Sequence, residues 1–205
     1  MKHKARKKEF DPGEKRQLLA TLCGRLFWIQ AASMGALVLA LFAPGRELGQ
    51  WIVMLLNIPA ACILYKLTDV SGRYRKAALF YGVLLIIGML YQWQGGGALS
   101  AAMSLCAIGE TYQEFYAHAE TVLYYDRELA EKWERLLLWK LVAKLIVSLV
   151  SIAGAVISIS RGNHIGRMAD WLIPTGFGVD IFIQLLYLQN LKHLQALFTE
   201  KAQAL

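Results

Sequence analysis

The sequence predicts an all-α protein, a polytopic integral membrane bundle of six transmembrane helices with both termini cytoplasmic. Three observations predict it. Apolar runs recur near 26–43, 51–67, 77–93, 98–117, 138–160 and 171–191. A helix rises about 1.5 Å per residue, so roughly 20 residues match the hydrocarbon thickness of a bilayer. Threading those runs back and forth places 19 of the 22 Lys and Arg residues on one side, leaving only Arg46, Arg161 and Arg167 on the other. Cytoplasmic loops retain cations while short translocated loops lose them, which puts the termini inside. Finally, all six tryptophans stand near run ends. Trp28, Trp133 and Trp139 fall at the inner face, and Trp51, Trp93 and Trp171 at the outer, where an amphipathic ring is best solvated.

Residues 1–25 read as a basic cytoplasmic tail with eight cations, and Gly13–Gly24 has the make-up of a short interfacial helix. The transmembrane domain covers 26–193. Its first run is 18 residues long behind Arg25, which suits an anchor that stays rather than a cleaved signal. Ala32, Ala36 and Ala40 make a small-residue stripe on it, a common packing device between membrane helices. Span two carries Asn57-Ile58-Pro59, and Pro59 removes a backbone hydrogen bond in mid-helix, so a kink is expected. Span three, 77–93, is apolar throughout apart from its end. The fourth run is apolar only from Ala98 to Ile108 before Glu110 and Glu114 appear. Without it the C-terminus would lie outside, and Arg127, Lys132 and Arg135 would conflict with the charge rule; six spans are kept.

A charged cytoplasmic helical hairpin follows at 118–135. No Gly or Pro occurs from Glu110 to Ala153, so both helices should continue past the membrane surface. Asp126 is the expected N-cap of the returning helix, with Glu128 in its first turn. Span five offers Ser151 with Ala155 and Gly154 with Ser158 as further small-residue pairs. After span six, residues 194–205 read as a cytoplasmic C-terminal tail.

Composition narrows the function classes. The chain is 57% hydrophobic, with mean hydropathy +0.40 and net charge +7. Its cations flank apolar runs instead of forming an aromatic-interleaved basic stripe, so no nucleic acid is expected. The expected partners are the lipid bilayer, with anionic lipid headgroups attracted to the cations, and a membrane protein partner or a second copy in a homo-oligomer. Three cysteines, Cys23, Cys62 and Cys106, lie within or beside the spans and read as small buried hydrophobes, not as a disulfide framework. Zinc, P-loop, dinucleotide and serine-elbow signatures are missing. His118-Ala119-Glu120-Thr121 superficially matches membrane endopeptidases that process quorum-sensing peptides, but Tyr125 stands where their nucleophilic cysteine would fall. The cysteine mechanism cannot run without a thiol. An enzyme is the less favoured class, and no cofactor is called for.

Polar residues inside the spans are the leads. Asp180 lies nine residues after Trp171, about 13 Å into the bilayer. An ionised Asp at that depth costs about 2.5–3.5 kcal/mol, so it should be protonated, hydrogen-bonded or hydrated. Gln184 shares its face one turn later, and Asn57 lies at a matching depth. The three read either as a polar binding pocket or as interhelical packing glue. Glu110, Glu114 and His118 are spaced i, i+4, i+8 and line one helix face. A chain reversal near Asp126 would bring Glu114 level with Lys140 and Glu110 level with Lys144. Structural ion pairs are the preferred reading of this ladder. A proton or ion relay is the second, and a metal site, of unknown metal, the third.

Two function classes remain. One is a small cell-membrane protein for transport or solute binding through its intramembrane polar residues. The alternative is a non-catalytic partner or regulatory subunit that docks proteins through the 118–135 hairpin. The size, six spans, inside termini and alanine stripe resemble the substrate-binding subunits of energy-coupling-factor vitamin transporters. That resemblance is one of architecture, without a binding motif, and it assigns no family.

Overall fold

Pro12 opens the first helix at a position where its missing N–H is not needed, and Glu14 follows in the first turn. The resulting helix, α1 (Pro12–Ala40), runs without a break through the segment expected as a separate interfacial helix. In the computed structural model the backbone is described for residues 12–40, 46–94, 97–161 and 166–203. Side chains are described outside 147–177 and outside a few positions near 40–50 and 97–101. The remaining helices are α2 (Arg46–Lys66), α3 (Gly72–Gln94), α4 (Gly97–Val122), α5 (Arg127–Arg161) and α6 (Gly166–Gln203). No strand occurs among the described residues. The expected N-terminal tail to residue 11 lies outside the described residues, and the small-residue pairs of span five lie outside the described side chains.

Each connection has a local cause. After Lys66 the chain tightens into a 3-10 turn, Leu67–Asp69, whose Leu67 is fully buried. Ser71 then caps α3, its Oγ accepting from Arg73 N at 3.2 Å. Between α4 and α5, Val122 O accepts from both Tyr125 N and Asp126 N, and Asp126 Oδ1 caps the next helix by accepting from Leu129 N at 2.9 Å. The reversal and its cap fall at the expected residue. Pro59 sits inside α2, which remains one helix from Arg46 to Lys66.

Packing follows the order of the chain and then closes on itself. Each helix packs on the next, and α6 packs back on α1, so the six form a closed ring. Short connections make neighbours antiparallel, which gathers the N-terminal end of α1 and the C-terminal end of α6 at one pole. There Arg16 Nη1 donates to Lys201 O at 3.1 Å. The core fills this pole: Leu22 and Leu26, Leu64 and Leu67, Phe115, Trp133, and Leu191, Leu194 and Phe198 are all buried. The stretch expected as a C-terminal tail is therefore helical to Gln203, because Leu194 and Phe198 supply an apolar face for α1 to cover.

Two glycines let the helices approach. A Cβ at Gly24 would sit 2.7 Å from Gln195 Nε2 of α6, and one at Gly109 would sit 2.7 Å from the Phe80 ring of α3. Of the alanine stripe, Ala36 is buried and Ala32 is exposed, while Ala40 lies outside the described side chains.

The outside of the ring is the reverse of a soluble protein. Leu55, Ile58, Leu79, Ile86, Leu105, Leu145 and Phe182 all face outward. A water-soluble surface does not carry so continuous an apolar belt. Among the described residues three helical stretches, Gly13–Leu39, Trp51–Asp69 and Gly72–Gln94, are long and apolar enough to cross a membrane. Trp28, Trp51, Trp93 and Trp139 are exposed, but Trp133, expected at the inner face, is completely enclosed. Its ring belongs to the core because Phe115, His118 and Tyr187 surround it.

Candidate functional site

Helical spacing brings the polar residues to one interior layer. On α4, Glu110, Glu114, His118 and Thr121 follow one another at three- and four-residue steps, and on α3 Tyr74 and Tyr81 are two turns apart. Gln30 of α1, Lys140 and Lys144 of α5, and Gln184 and Tyr187 of α6 complete the layer. Five helices contribute. The residue exposures are 1% for Glu114 and 0% for His118, so neither meets solvent.

Glu114 is the centre. Tyr187 Oη donates to its Oε1 at 2.5 Å, and Tyr81 Oη donates to its Oε2 at 3.0 Å. Two hydroxyls thus replace the water that a carboxylate loses on burial. Tyr81 Oη in turn accepts from Gln30 Nε2 at 3.0 Å, and Gln30 Oε1 accepts from Gln184 Nε2 at 3.0 Å. Gln184 Oε1 accepts from Lys140 Nζ at 3.3 Å. All four donors point the same way. A polarised chain therefore leads from the Lys140 ammonium through α6, α1 and α3 to the Glu114 carboxylate, and aligned bonds of this kind strengthen one another. The Lys140 cation also lies 5.3 Å from the Phe115 ring centroid, which helps offset its burial.

The reversal at Asp126 does bring the glutamates and lysines to matching depths, but as neighbours and not as contact pairs. The ion pairs among the described residues join Arg73 to Glu120, His118 to Glu114, Arg127 to Glu131 and Lys132 to Glu128. Lys144 Nζ instead donates to Ala107 O at 2.8 Å and to Thr111 Oγ1 at 2.7 Å, while Glu110 Oε2 accepts from Thr111 Oγ1 at 3.4 Å. Thr111 stands between the expected partners. Lys140 and Glu114 likewise form no ion pair among the described residues; the amides and Tyr81 join them, and so does Tyr187, whose ring centroid is 6.0 Å from Lys140 Nζ.

The other expected cluster is not assembled. Half-buried Asn57 lies on α2, and among the described residues no hydrogen bond or ion pair joins it to Asp180. Asp180 is exposed, one turn from Gln184. Only Gln184 of that trio enters the hydrogen-bonded chain. Among the described residues, no three His, Cys, Asp or Glu side chains converge as a metal site.

Below Glu114 the layer reaches toward the terminal pole. His118 Nε2 is 3.8 Å from Glu114 Oε1, and its Nδ1 is 2.9 Å from Tyr74 Oη. Thr121 Oγ1 lies 3.3 Å from Tyr74 Oη and donates to Ala117 O at 2.7 Å. Thr121 also lines a cleft of about 420 Å³ with Lys15, Arg16, Ser71, Glu120 and Tyr124. Sequence reasoning missed Tyr74, Tyr81, Tyr187, Gln30, Thr111 and Thr121. Tyrosines near run ends resemble an interfacial belt, but the seven-residue interval from Tyr74 to Tyr81 was a signal for one buried helix face. No protein-family model, curated protein or solved structure matches the chain, so the case for its function rests on this network.

Proposed function

We propose that the chain is a multi-pass cell-membrane protein with six spans and both termini cytoplasmic, and that it binds or transports a small polar solute at the interior polar layer. The carrying observation is Glu114, enclosed in the bundle and bound by tyrosines from two other helices. Simple packing glue needs only neutral amides and hydroxyls, whose bonds average about 0.6 kcal/mol in membranes. This layer additionally holds Glu110, Glu114, Lys140 and Lys144, charges whose insertion is far more costly than that gain. Ionisable groups held at such depth are characteristic of solute and ion pathways. The six antiparallel helices and the one-sided cations support the six-span topology, and the apolar belt supports burial in lipid.

The alternative, docking of a protein through the 118–135 hairpin, has less support. Arg127 pairs with Glu131 and Lys132 with Glu128 within α5, so these charges are already answered on their own helix. That is how a solvated face behaves.

Topology is tested with single cysteines at positions 3, 70, 127, 46 and 164 in a background lacking the native cysteines. The first three should react with an impermeant thiol reagent only after the membrane is opened, and the last two in intact cells. Labelling of 127 from outside would remove span four. For the site, purification in mild detergent followed by mass spectrometry should find a small molecule retained by the natural chain and lost in Glu114→Gln. Equal retention by both would overturn the assignment of the solute to this layer.

A further inference from the structure

We propose that Thr121, Tyr74 and His118 form the proton-access route to Glu114, so that the interior carboxylate exchanges a proton with the cleft at the terminal pole. The inference rests on the solute-site reading and adds the proton as a species that the site handles.

Geometry supplies the path. Thr121 lines the cleft, and from it Tyr74 Oη, His118 Nδ1, His118 Nε2 and Glu114 Oε1 follow in sequence at 3.3 Å, 2.9 Å, across the ring, and 3.8 Å. Every group on this path can both give and take a proton. The one open step is the last. His118 Nε2 is buried without a hydrogen-bond partner, although a carboxylate oxygen already taking a tyrosine hydrogen bond lies just beyond reach. Moving the ring or carboxylate by about 1 Å would close a charge-assisted bond. Histidine suits the position because it has two ring nitrogens on opposite sides, each able to hold or release a proton. The ring is also held in place: Trp133 lies 4.6 Å away by centroids, Tyr74 5.4 Å and Tyr187 6.1 Å.

The proton count closes. His118 begins as the Nε2–H tautomer, accepting from Tyr74 at Nδ1. The Thr121 hydroxyl turns from Ala117 O to Tyr74 Oη, and a proton from the cleft binds Thr121 Oγ1 as the hydroxyl proton passes to Tyr74 Oη. In the same movement the original Tyr74 O–H bond breaks and its proton forms the Nδ1–H bond, giving an imidazolium. Its Nε2–H bond breaks, and that proton forms the O–H bond of Glu114 at Oε1. One proton has entered and one carboxylate is neutralised. Thr121 and Tyr74 hold their original number of protons, and His118 is left as the Nδ1–H tautomer. The same steps reversed release the proton to the same pole.

Other charges shape the route. The titratable and charged groups around His118 and Glu114 are Cys23 of α1, Tyr74 and Tyr81 of α3, Glu110 and Glu120 of α4, Lys140 and Lys144 of α5, and Tyr187 of α6. Neutralising Glu114 would leave Lys140 at the head of a donor chain with no anion at its end. Proton entry is thereby coupled to the amide chain that runs around the ring, where a solute would compete for Lys140 and Gln184.

The test is a rapid acidification of the full-length protein in lipid nanodiscs, followed by the carboxylic-acid carbonyl band in the infrared. Loss of the band in Glu114→Gln assigns it. Tyr74→Phe and His118→Asn should each slow its appearance by roughly 10²-fold, the scale of a lost acid–base group. Tyr74→Phe keeps the ring packing, so its equilibrium band height should remain that of the natural chain. A rate unchanged in both variants, or no Glu114 band in the natural chain, would overturn the route. Solute retention is measured on the same samples. A retained solute with His118-independent exchange sinks only the route, whereas His118-dependent exchange with no solute sinks only the solute reading.

Discussion

Two sets of charges on neighbouring helices show opposite ways of keeping charge in a folded chain. On the outer face of α5, Arg127 meets Glu131 at 3.3 Å and Lys132 meets Glu128 at 2.8 Å, one turn apart and largely exposed. Inside the ring, Glu114 and Lys140 are kept apart and joined through Tyr81, Gln30 and Gln184. Water solvates the first set, so direct contact between the charges is optional and weak. In the second set Glu114 is buried away from solvent, and such a charge needs several fixed donors, which one opposite charge cannot supply. Burial therefore dissolves the simple ion pair into a network. The same difference decides where substitutions should matter.

The largest effect is expected at Glu114. Glu114→Leu leaves the Tyr81 and Tyr187 hydroxyls without their acceptor and Lys140 without its anion. A loss of about 3–5 kcal/mol follows, the range for breaking a buried charged group from its partners. Thermal unfolding in detergent, followed by helix content, measures it. A loss below that of an ordinary surface change would mean that the interior layer is hydrated and not enclosed.

Glu110 and Lys144 sharpen the comparison because Thr111 separates them. Glu110→Gln and Lys144→Met should each destabilise the protein, and the double change should recover part of the loss, by about 0.5–3 kcal/mol of coupling. Strictly additive losses would show that Thr111 and the Ala107 carbonyl satisfy Lys144 by themselves. The amide chain should show smaller coupling. Gln30→Leu combined with Tyr81→Phe is expected to be non-additive by about 0.6 kcal/mol, and by no more than about 1.7 kcal/mol, as for other interhelical hydrogen bonds in membranes.

How much of this could be read from the chain depends on the kind of signal. Helix positions were legible because apolar runs and breakers are local, and the Asp126 cap was legible because a cap needs only its own neighbouring residues. The depth match of Glu114 with Lys140 followed from counting residues either side of that turn. Ring closure was not legible: α1 separates α2 from α6, and no periodicity in either helix encodes which helices are neighbours. The expected closeness of Asn57 and Asp180 depended on that order, which counting residues along each helix does not supply. The tyrosines were hidden by their chemistry, since one residue type serves both a lipid interface and a buried hydrogen bond. Trp133 was hidden in the same way, placed at a run end yet wholly enclosed by Phe115, His118 and Tyr187.

The smallest effect belongs to the outer set and is the control for all the others. In Arg127→Ala the Glu131 carboxylate, half exposed, turns to water and loses little. The i,i+4 contact itself contributes about 0.3–0.5 kcal/mol, and salt screens it. Glu131→Gln should likewise shift stability by no more than about 0.5 kcal/mol, and the shift should shrink further as salt is raised. Unfolding curves of the two single changes and their double at low and high salt make the measurement. A cost of several kcal/mol here, independent of salt, would mean that the hairpin face is covered in the native assembly. The docking alternative would then regain its place, because only a second surface excluding water from Arg127 and Glu131 could make an exposed pair behave like the interior one.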